Sequence, residues 1–415
     1  MASPSLRPGL DLRGLYRENT PAVFWRLLIE PQPSSAEWDA AIRVAAAHLP
    51  PAVTAAGLDL DTLLVNTLGE GQFGPEHWEL GTLKRLYYAV KPLIPRRLAV
   101  LLRRLYQKSM IPSVDLGWPV EPGYARFLWE VAQQIRTMRR QPVLPFIHFW
   151  PDGRRFAFVI THDVETGEGQ RLARELAELD ASYGFRSSFN FVAEDYRLDL
   201  DLIEELRERG FEVGMHGVHH DGRAFGSRAK FLRQAERINR HLKRLNAVGL
   251  RTPLTHRNPE WMQALDVEYD LSFFDTDPFE PLSGGTMSLW PFTIGRFLEL
   301  PYTLVQDYTA TAILNETTPR IWLQKVDFIN AYHGLALVNA HPDYLKVGHT
   351  RRVYESFLTA MRSRADFWNA LPCEAARWWR ARSSASTLAQ LPGAVAGVIG
   401  EDGRISIEPL AAMAS

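Results

Sequence analysis

Five residues of this chain combine titratable side chains with a spacing that suits metal-assisted hydrolysis. His216 and His220 are four residues apart, so both imidazoles can face one ion from a single helical turn or tight loop. Asp163 and Glu165 are two residues apart, and in an extended segment this spacing points both carboxylates the same way. His341 supplies a further imidazole that can carry a proton. These residue types predict a hydrolytic site.

The spacing of the histidine pair alone is also compatible with two histidines that cap a helix or are exposed to solvent. Its context favours a metal site, because the pair and the acids each follow an apolar run that reads as a strand. A carboxylate from the neighbouring strand end would complete a two-histidine, one-carboxylate set with open positions for water and substrate. The sequence therefore predicts a divalent metal cofactor. Zn²⁺ is the ion expected, and Co²⁺, Ni²⁺ or Mn²⁺ are alternatives.

The elements that must position these residues begin near residue 156. From there, short apolar runs alternate with amphipathic segments, which predicts a parallel sheet or barrel covered by helices. In such folds functional side chains gather at the carboxyl ends of the strands. The predicted strands are Phe156–Thr161, Ser187–Val192, Phe211–Met215, Leu271–Phe274, Phe297–Leu300 and Leu335–Ala340. The predicted helices are Gly169–Tyr183, Leu200–Arg209, Ala229–Leu245, Trp261–Leu265, Pro319–Tyr332 and Arg351–Trp368.

The first third of the chain has a different pattern. Amphipathic segments separated by prolines occur there without short β-branched runs between them, so we expect helices. These predicted helices are Ser35–His48, Glu76–Val90, Arg96–Lys108 and Gly123–Arg140. The predicted organisation is a helical N-terminal region at 1–141, a barrel at 142–370, and a helical extension and tail at 371–415.

Composition excludes several classes of protein. The 415 residues are 46% hydrophobic and 23% charged, which suits a large buried core and excludes disordered, collagen-like and coiled-coil chains. The net charge of -1 gives no global basic signal, so no nucleic-acid partner is expected. Cys373 is the one cysteine, so neither an intrachain disulfide nor a cysteine-based zinc site can form. Residues 1–30 lack the apolar core of a signal peptide, which predicts a cytoplasmic protein.

Four short motifs occur in an order that resembles one known family. They are THDVE at 161–165, the pair His216 and His220, RTP at 251–253 and LVNAH at 337–341. This order is similar to the motifs of the polysaccharide deacetylases, which define the NodB-homology domain of carbohydrate esterase family 4. The resemblance spans about 156–344. It implies a distorted (β/α) barrel of the NodB type and a metal-dependent N- or O-deacetylase.

The resemblance also implies roles for the residues of the first two motifs. Asp163 matches the catalytic base of the family, and His216 and His220 match its metal-ligating histidines. The common family pattern has two adjacent acids, whereas Val164 separates Asp163 from the next acid here. The chain is therefore similar to a branch with an Asp-x-Asp arrangement, in which Glu165 replaces the second Asp as the expected metal ligand.

The remaining motifs supply the expected partners of the base and the acid. Arg251 matches the arginine that orients the base, and a nearby guanidinium would keep that carboxylate ionised. His341 matches the general acid. Asp275 and Asp277 resemble the acids that tune this histidine, and Asp277 is the one predicted to take part in catalysis.

These roles predict hydrolysis of an acetyl group from a saccharide. Without a signal peptide the expected substrate is a precursor, namely a nucleotide-linked or lipid-linked sugar used in cell-surface polysaccharide biosynthesis. One alternative is hydrolysis of a non-peptide C–N bond in a non-sugar amide. Another is a catalytically silent saccharide-binding scaffold, in which Glu165 marks the loss of the metal.

A basic segment precedes the predicted barrel. Eight lysines and arginines and no acid lie between Leu80 and Val114, all eight within 84–108. A helix that packs on the core and exposes a solvated basic face would have this pattern. The alternative interpretation is a peripheral contact with an anionic membrane on the inner face of the bilayer.

Overall fold

The computed structural model describes residues 12–75, 77–80, 101, 104–105 and 115–407. The helices of these residues are α1 Leu12–Tyr16, α2 Pro21–Trp25, α3 Ser35–Ala45, α4 Pro51–Thr54, α5 Leu60–Thr67, α6 Gly123–Met138, α7 Gly167–Ser182, α8 Leu200–Glu208, α9 Arg228–Arg244, α10 Arg320–Ala331, α11 Pro342–Leu345, α12 Gly348–Arg362 and α13 Pro372–Ser384. The strands are β1 Leu144–Ile147, β2 Phe156–Val164, β3 Ser188–Phe191, β4 Glu212–Met215, β5 Gly249–Leu250, β6 Tyr269–Asp270, β7 Phe292–Ile294, β8 Phe297–Glu299, β9 Leu335–Ala340, β10 Phe367–Asn369, β11 Ala396–Ile399 and β12 Ile405–Ile407. None of the described helices has the length and apolar character needed to cross a membrane.

A mixed sheet of nine strands forms the core of the described chain. Its strands follow the order β10, β2, β3, β4, β5, β6, β8, β7, and β9 pairs with β2 as well. All of these pairings are parallel except that of β7 with β8. Single bridges join Phe274 to Tyr302 and Leu304 to Val338, so the sheet curls round towards β9. The predicted distorted (β/α) barrel is confirmed.

The central strand β2 is longer than predicted. It continues past Thr161 to Val164, and all nine of its residues are buried, as expected for a central parallel strand. The strand predicted at Leu271–Phe274 is wrong in position, because β6 ends at Asp270. The backbone N–H and the hydroxyl of Ser272 both donate to the Asp270 carboxylate, at 3.0 and 2.9 Å, and these local bonds replace a strand ladder.

The helix predicted at Arg351–Trp368 is too long. It ends at Arg362, and the residues that follow form β10, which pairs with the start of β2. Phe367 on this strand packs against Phe156 and Phe158, with ring centroids 5.5 Å apart in each pair. Burial of these aromatic rings stabilises a strand where helical periodicity had predicted more helix.

A second, three-stranded sheet connects the start of the predicted barrel segment to the tail. β1 pairs antiparallel with β11, and β11 pairs antiparallel with β12. The strand predicted at Arg404–Ile407 corresponds to β12, whereas β11 was not predicted. β1 lies at the start of the predicted barrel segment 142–370 but belongs to this small sheet, not to the barrel.

The described part of the N-terminal region is helical, as predicted, and it shares a core with the barrel. A capping box starts α3, in which the Ser34 N–H donates to the Glu37 carboxylate (2.8 Å) and the Glu37 N–H donates to the Ser34 hydroxyl (3.3 Å). Trp129 on α6 stacks on Trp290 before β7, with centroids 5.7 Å apart. Aromatic contacts of this kind join the helical region to the barrel in one hydrophobic cluster.

A buried ion pair also joins the two regions. Arg257, which follows β5, binds both carboxylate oxygens of Glu70 through Nε (2.8 Å) and a terminal nitrogen (2.6 Å), and both side chains are fully buried. The guanidinium lies 4.4 Å from the ring centroid of Phe274 and 5.4 Å from that of Trp78. Contacts with the Glu70 carboxylate and with these aromatic rings explain how the charged guanidinium is accommodated in the core. We call this pair the junction pair.

Most of the basic segment 84–108 lies outside the described residues, as do most residues of the helices predicted at Glu76–Val90 and Arg96–Lys108. Its described residues are Leu101, Arg104 and Leu105, all exposed. Arg104 donates from Nε to the carbonyl oxygen of Ala312 (2.7 Å) and from a terminal nitrogen to the side-chain oxygen of Asn315 (3.3 Å). Arg104 thus contacts the barrel side of the molecule.

Candidate metal and catalytic site

The carboxyl ends of four barrel strands bring the predicted site residues together. Asp163 lies near the end of β2, and His216, Arg251 and His341 directly follow β4, β5 and β9. The exposed fraction of each of these four residues is 3% or less. Because the strands run parallel, their ends meet on one face of the barrel, where charged groups can act away from bulk water.

Hydrogen bonds hold both carboxylate oxygens of Asp163. The Asn190 amide donates to Oδ1 (2.9 Å) and the Asn339 amide donates to Oδ2 (2.8 Å). A terminal nitrogen of Arg251 donates to Oδ1 as well (3.2 Å). The carboxylate is therefore fixed in orientation by groups from β3, β9 and the end of β5.

Strand register explains why the two amides reach Asp163. Asp163 pairs directly with Asn190 across β2 and β3, and Asn339 on β9 pairs with Thr161 of β2. Gly214 on β4 pairs with Asn190, and a Cβ at that position would lie 2.2 Å from the Asn190 side-chain oxygen. A glycine there leaves the space that the amide occupies.

Arg251 determines the charge state of Asp163. Burial by itself would raise the pKa of Asp163, but Arg251, with smaller contributions from His216 and His341, holds that pKa well below its usual range. Arg251 is itself held in place, since Nε donates to the Leu271 carbonyl oxygen (2.9 Å). Asp163 is therefore an ionised, oriented carboxylate that can accept a proton.

Glu165, His216 and His220 form a compact set of potential ligands. One donor atom from each lies within 4.8 Å of the other two, and the His220 Nε2 atom is 3.1 Å from Oε1 of Glu165. Nδ1 of His216 donates its hydrogen to the Arg251 carbonyl oxygen (3.0 Å), so the lone pair is on Nε2. That Nε2 atom is buried and has no hydrogen-bond partner.

This donor set fits a divalent metal ion. Two imidazole nitrogens and one carboxylate oxygen are ligands that Zn²⁺ and similar ions accept, with positions left for water and substrate. An unpartnered buried nitrogen normally costs free energy, and coordination of a cation would remove that cost. The backbone carbonyl that orients His216 is the kind of outer contact that metal-ligating histidines have.

The loop between the two histidines is fixed from outside the ligand set. Asp195 accepts a hydrogen bond from the His220 backbone N–H (2.7 Å), and its other oxygen lies 2.7 Å from Nδ1 of His219. His219 thus points away from Glu165 and His216, towards Asp195 and Arg237.

His341 faces the same centre from the opposite side. Its Nε2 atom lies 3.5 Å from Oε1 of Glu165 and 3.9 Å from Oδ2 of Asp163. Its Nδ1 atom lies 2.7 Å from Oδ1 of Asp307, and its backbone N–H donates to the other oxygen of Asp307 (2.9 Å). Burial by itself would lower the pKa of His341, but Asp307, with smaller contributions from Glu165 and Asp163, raises it to about 10.

The predicted position of the carboxylate beside His341 is wrong. The structure places Asp307 there instead of Asp277, which is buried and accepts hydrogen bonds from the Tyr302 hydroxyl (3.2 Å) and the Phe279 N–H (2.7 Å). Asp275 forms a buried ion pair with Lys325, whose ammonium also donates to the Pro119 carbonyl oxygen (2.6 Å). Both aspartates hold loops together near the N-terminal region.

Three contributors to the site were not assigned a role from the sequence. Asn190 gave no signal because an amide on a buried strand has no characteristic spacing, and Asn339 lies within the LVNAH motif but received no role there. Asp307 lies 34 residues before His341, in a loop ahead of a π-helical turn at Tyr308–Ile313. The available signal for Asp307 was its proximity to a helix start, where aspartates commonly cap backbone N–H groups, and that is weaker than a sequence motif.

Comparisons with known proteins found similar structures but no matching sequence family. No family model matches the chain, and no curated protein matches it. Puue allantoinase is 16% identical, with a TM-score of 0.46 over 56% of this chain and 92% of the allantoinase. A probable polysaccharide deacetylase from Pseudomonas aeruginosa PAO1 is 17% identical, with a TM-score of 0.45 over 56% of this chain and 93% of the other.

A third similar structure is the peptidoglycan deacetylase PdaC from Bacillus subtilis. It is 10% identical to this chain, with a TM-score of 0.36 over 55% of this chain and 93% of PdaC.

Proposed function

We propose that this chain is a metal-dependent hydrolase that removes an acetyl group from the nitrogen or oxygen of a saccharide. The observation that carries the proposal is the unpartnered Nε2 atom of His216, buried beside Glu165 and His220 within reach of an oriented carboxylate. A saccharide-binding scaffold would have no need for a buried nitrogen without a partner. The substrate class rests on the motif resemblance.

Asp163 is the base in this proposal. Its Oδ2 atom accepts one hydrogen bond from Asn339 and lies 3.9 Å from Nε2 of His341, so it faces the space between the ligand set and the acid. Arg251 keeps the carboxylate ionised, which lets it take a proton from a water molecule that attacks the acyl carbon.

His341 is the acid. Asp307 accepts the hydrogen on Nδ1 and stabilises the charged imidazolium, so Nε2 carries a proton at neutral pH. That proton can pass to the departing amine or alcohol. Base and acid come from β2 and the end of β9, two neighbouring strands, and Nε2 of His341 lies 3.9 Å from Oδ2 of Asp163, so both can act on one bound substrate.

Glu165, His216 and His220 would hold the metal ion. When bound, such an ion polarises the acyl oxygen and lowers the pKa of water. His216 would bind through Nε2, because its Nδ1 hydrogen is donated to the Arg251 carbonyl oxygen. The same arginine therefore orients the base through its side chain and a ligand through its backbone.

Acetate release tests the proposal. Purified chain supplied with Zn²⁺ would be incubated with acetamido sugars, nucleotide-linked and lipid-linked acetylated saccharides, and a non-sugar ureide. We expect acetate from at least one saccharide, and a loss of about a hundredfold to ten-thousandfold in kcat/KM for Asp163→Asn. The matched control is Asp277→Asn, which changes a buried aspartate that contacts Tyr302.

Each outcome has a clear meaning. Hydrolysis of the ureide alone would keep the chemistry and overturn the saccharide substrate. Acetate release that survives Asp163→Asn would overturn the assignment of the base. No hydrolysis of any substrate by a chain that binds saccharide would favour the scaffold.

A further inference from the structure

A stripe of basic residues runs along one face of α9. Its members are spaced three, four, three and four residues apart, so they share one side of the helix over about 21 Å. We call these residues the basic stripe: Lys230, Arg233, Arg237, Arg240 and Arg244. The opposite face is apolar and packs on the barrel through Phe231, Ala235, Ile238 and Leu242, which are buried.

The side chains of four of the five cations in the basic stripe have no partner among the residues that the structure describes. Arg237 binds the carboxylate of Glu194. The other four are exposed and make no hydrogen bond or ion pair with any described residue. Glu236 is the one carboxylate within the helix, and it lies off the stripe. A solvated face with this excess of positive charge attracts a surface of negative charge.

A cavity opens at the N-terminal end of the basic stripe. Its volume is about 240 Å³, and its walls are largely apolar, with side chains of Val218, Phe225, Phe231, Ile238 and Leu250, although Asp221, Gln234 and Thr252 also line it. Three cationic side chains also line it. They are Lys230 and Arg233 of the stripe, together with Arg223, which is exposed and lies 3.6 Å from Asp221.

We propose that the basic stripe and this cavity bind a bilayer that contains anionic phospholipid. Lipid phosphates would contact the stripe, and part of one acyl chain would enter the cavity while the phosphate meets the cations that line it. The occupant needs an anionic head and an apolar body, which a phospholipid combines. Nucleic acid also offers phosphates, but its polar base edges do not match carbon-rich walls.

The docking surface adjoins the candidate catalytic site. The loop that carries His216 and His220 contributes Gly217, Val218 and His219 to the cavity wall. A bilayer bound at the basic stripe would therefore lie next to the ligand set. This proposal stands independently of the proposed hydrolysis, because lipid binding needs neither the metal nor Asp163.

Vesicle co-sedimentation of the full chain tests the surface. One set of vesicles is phosphatidylcholine alone, and the other contains about one third phosphatidylglycerol. We expect binding only to the anionic vesicles. The variant Lys230→Gln, Arg233→Gln, Arg240→Gln, Arg244→Gln should lose up to about a thousandfold in partition coefficient.

A matched control removes the same charge elsewhere. Arg43→Gln, Arg126→Gln, Arg171→Gln, Arg362→Gln changes four exposed arginines on four other helices. We expect this control to bind the anionic vesicles within threefold of the unmodified chain. An equal loss of vesicle binding in both quadruple variants would show that binding depends on net charge. It would overturn the proposal that the basic stripe is the docking surface.

The cavity has its own test. Ala224→Phe places a ring in the cavity without changing charge, and we expect it to weaken vesicle binding at least fivefold at constant circular dichroism. Unchanged binding by Ala224→Phe would overturn insertion of lipid into the cavity. Equal affinity for anionic vesicles and for a double-stranded DNA probe would overturn the preference for lipid, and binding to neither would overturn the whole proposal.

Discussion

Two buried arginines six residues apart, Arg251 and Arg257, lie in similar surroundings and do different work. Each is paired with a carboxylate, Asp163 in the first case and Glu70 in the second, and each is 1% exposed or less. Every nitrogen of Arg257 has an acceptor, including the carbonyl oxygens of Thr255 (3.1 Å) and Leu282 (3.3 Å). One terminal nitrogen of Arg251 has none.

The difference teaches how to separate a structural ion pair from a functional one. A pair that serves stability leaves no buried polar atom without a partner, because each such atom costs about 1–3 kcal/mol. The candidate site carries that cost at Arg251, which pairs with Asp163, and again at Nε2 of the neighbouring His216. Other buried polar atoms without a partner, such as Nε2 of His148, lie elsewhere in the described core, but at the candidate site a metal ion or a substrate could satisfy them.

The largest effect should follow from Arg251→Gln. Loss of the guanidinium leaves Asp163 buried without its cation and with one fewer hydrogen bond. We expect kcat/KM for acetate release to fall about a hundredfold to ten-thousandfold, as for loss of an acid–base group. Steady-state kinetics on the identified substrate measure this effect. A fall of less than threefold would mean that Arg251 does not control the base.

The next effect should follow from Arg257→Gln, which breaks the junction pair. Removal of one partner leaves the Glu70 carboxylate buried and uncompensated, a change that costs about 3–5 kcal/mol of unfolding free energy. Urea denaturation measures it, while kcat of the folded fraction should remain within threefold of the unmodified value. A large loss of kcat with an unchanged free energy of unfolding would contradict the role in stability assigned to Arg257.

A smaller effect separates Asp307 from Asp277. Asp307→Asn keeps the shape but weakens the acceptor for Nδ1 of His341, and we expect a loss of about tenfold to a hundredfold in kcat, typical of an outer carboxylate partner. Asp277→Asn should change kcat by less than threefold. Kinetics of the two variants side by side decide the matter. A greater loss of kcat in Asp277→Asn than in Asp307→Asn would support Asp277 as the carboxylate that acts on His341, as the sequence predicts.

The smallest effect concerns the pH dependence of stability. Burial by itself would raise the pKa of Glu70, but Arg257 and His77 lower it to about 2. A lowered folded-state pKa means that the unfolded chain binds more protons between about pH 4.5 and 2. The contribution of Glu70 is therefore present above pH 4.5 and is lost as the pH falls towards 2.

Urea denaturation at several pH values between 2 and 6 measures this contribution. Glu70→Gln should lose less stability over that range than the unmodified chain does. Identical pH profiles for the two proteins would show that Glu70 is not the titrating group.

The fold was predictable to the extent that apolar periodicity decided it. The run Leu335–Ala340 forms a strand with those bounds, because a short apolar run before a polar residue allows few alternatives. The sequence did not predict β10 and β11, because Asn369 and Gly397 interrupt the apolar pattern of these segments. Long-range pairing stabilises both strands. Tertiary contacts outweighed local propensity there.

The site was predictable where residue type and spacing carry the chemistry. Asp163, Glu165, His216, His220 and His341 have ionisable side chains that follow strands, and the structure brings all five together. The supporting groups, such as Asp307, act through strand register and loop path. Neither of these leaves a mark in a single sequence.

Metal binding tests the central claim most directly. Purified chain would be stripped with chelator, dialysed against Zn²⁺ and analysed by mass spectrometry for bound metal, beside Asp163→Asn and the double variant His216→Ala, His220→Ala. We predict about one equivalent in the unmodified chain and in Asp163→Asn, and less than about a tenth in the double variant. No bound metal in the unmodified chain, or one full equivalent in the double variant, would contradict the claim.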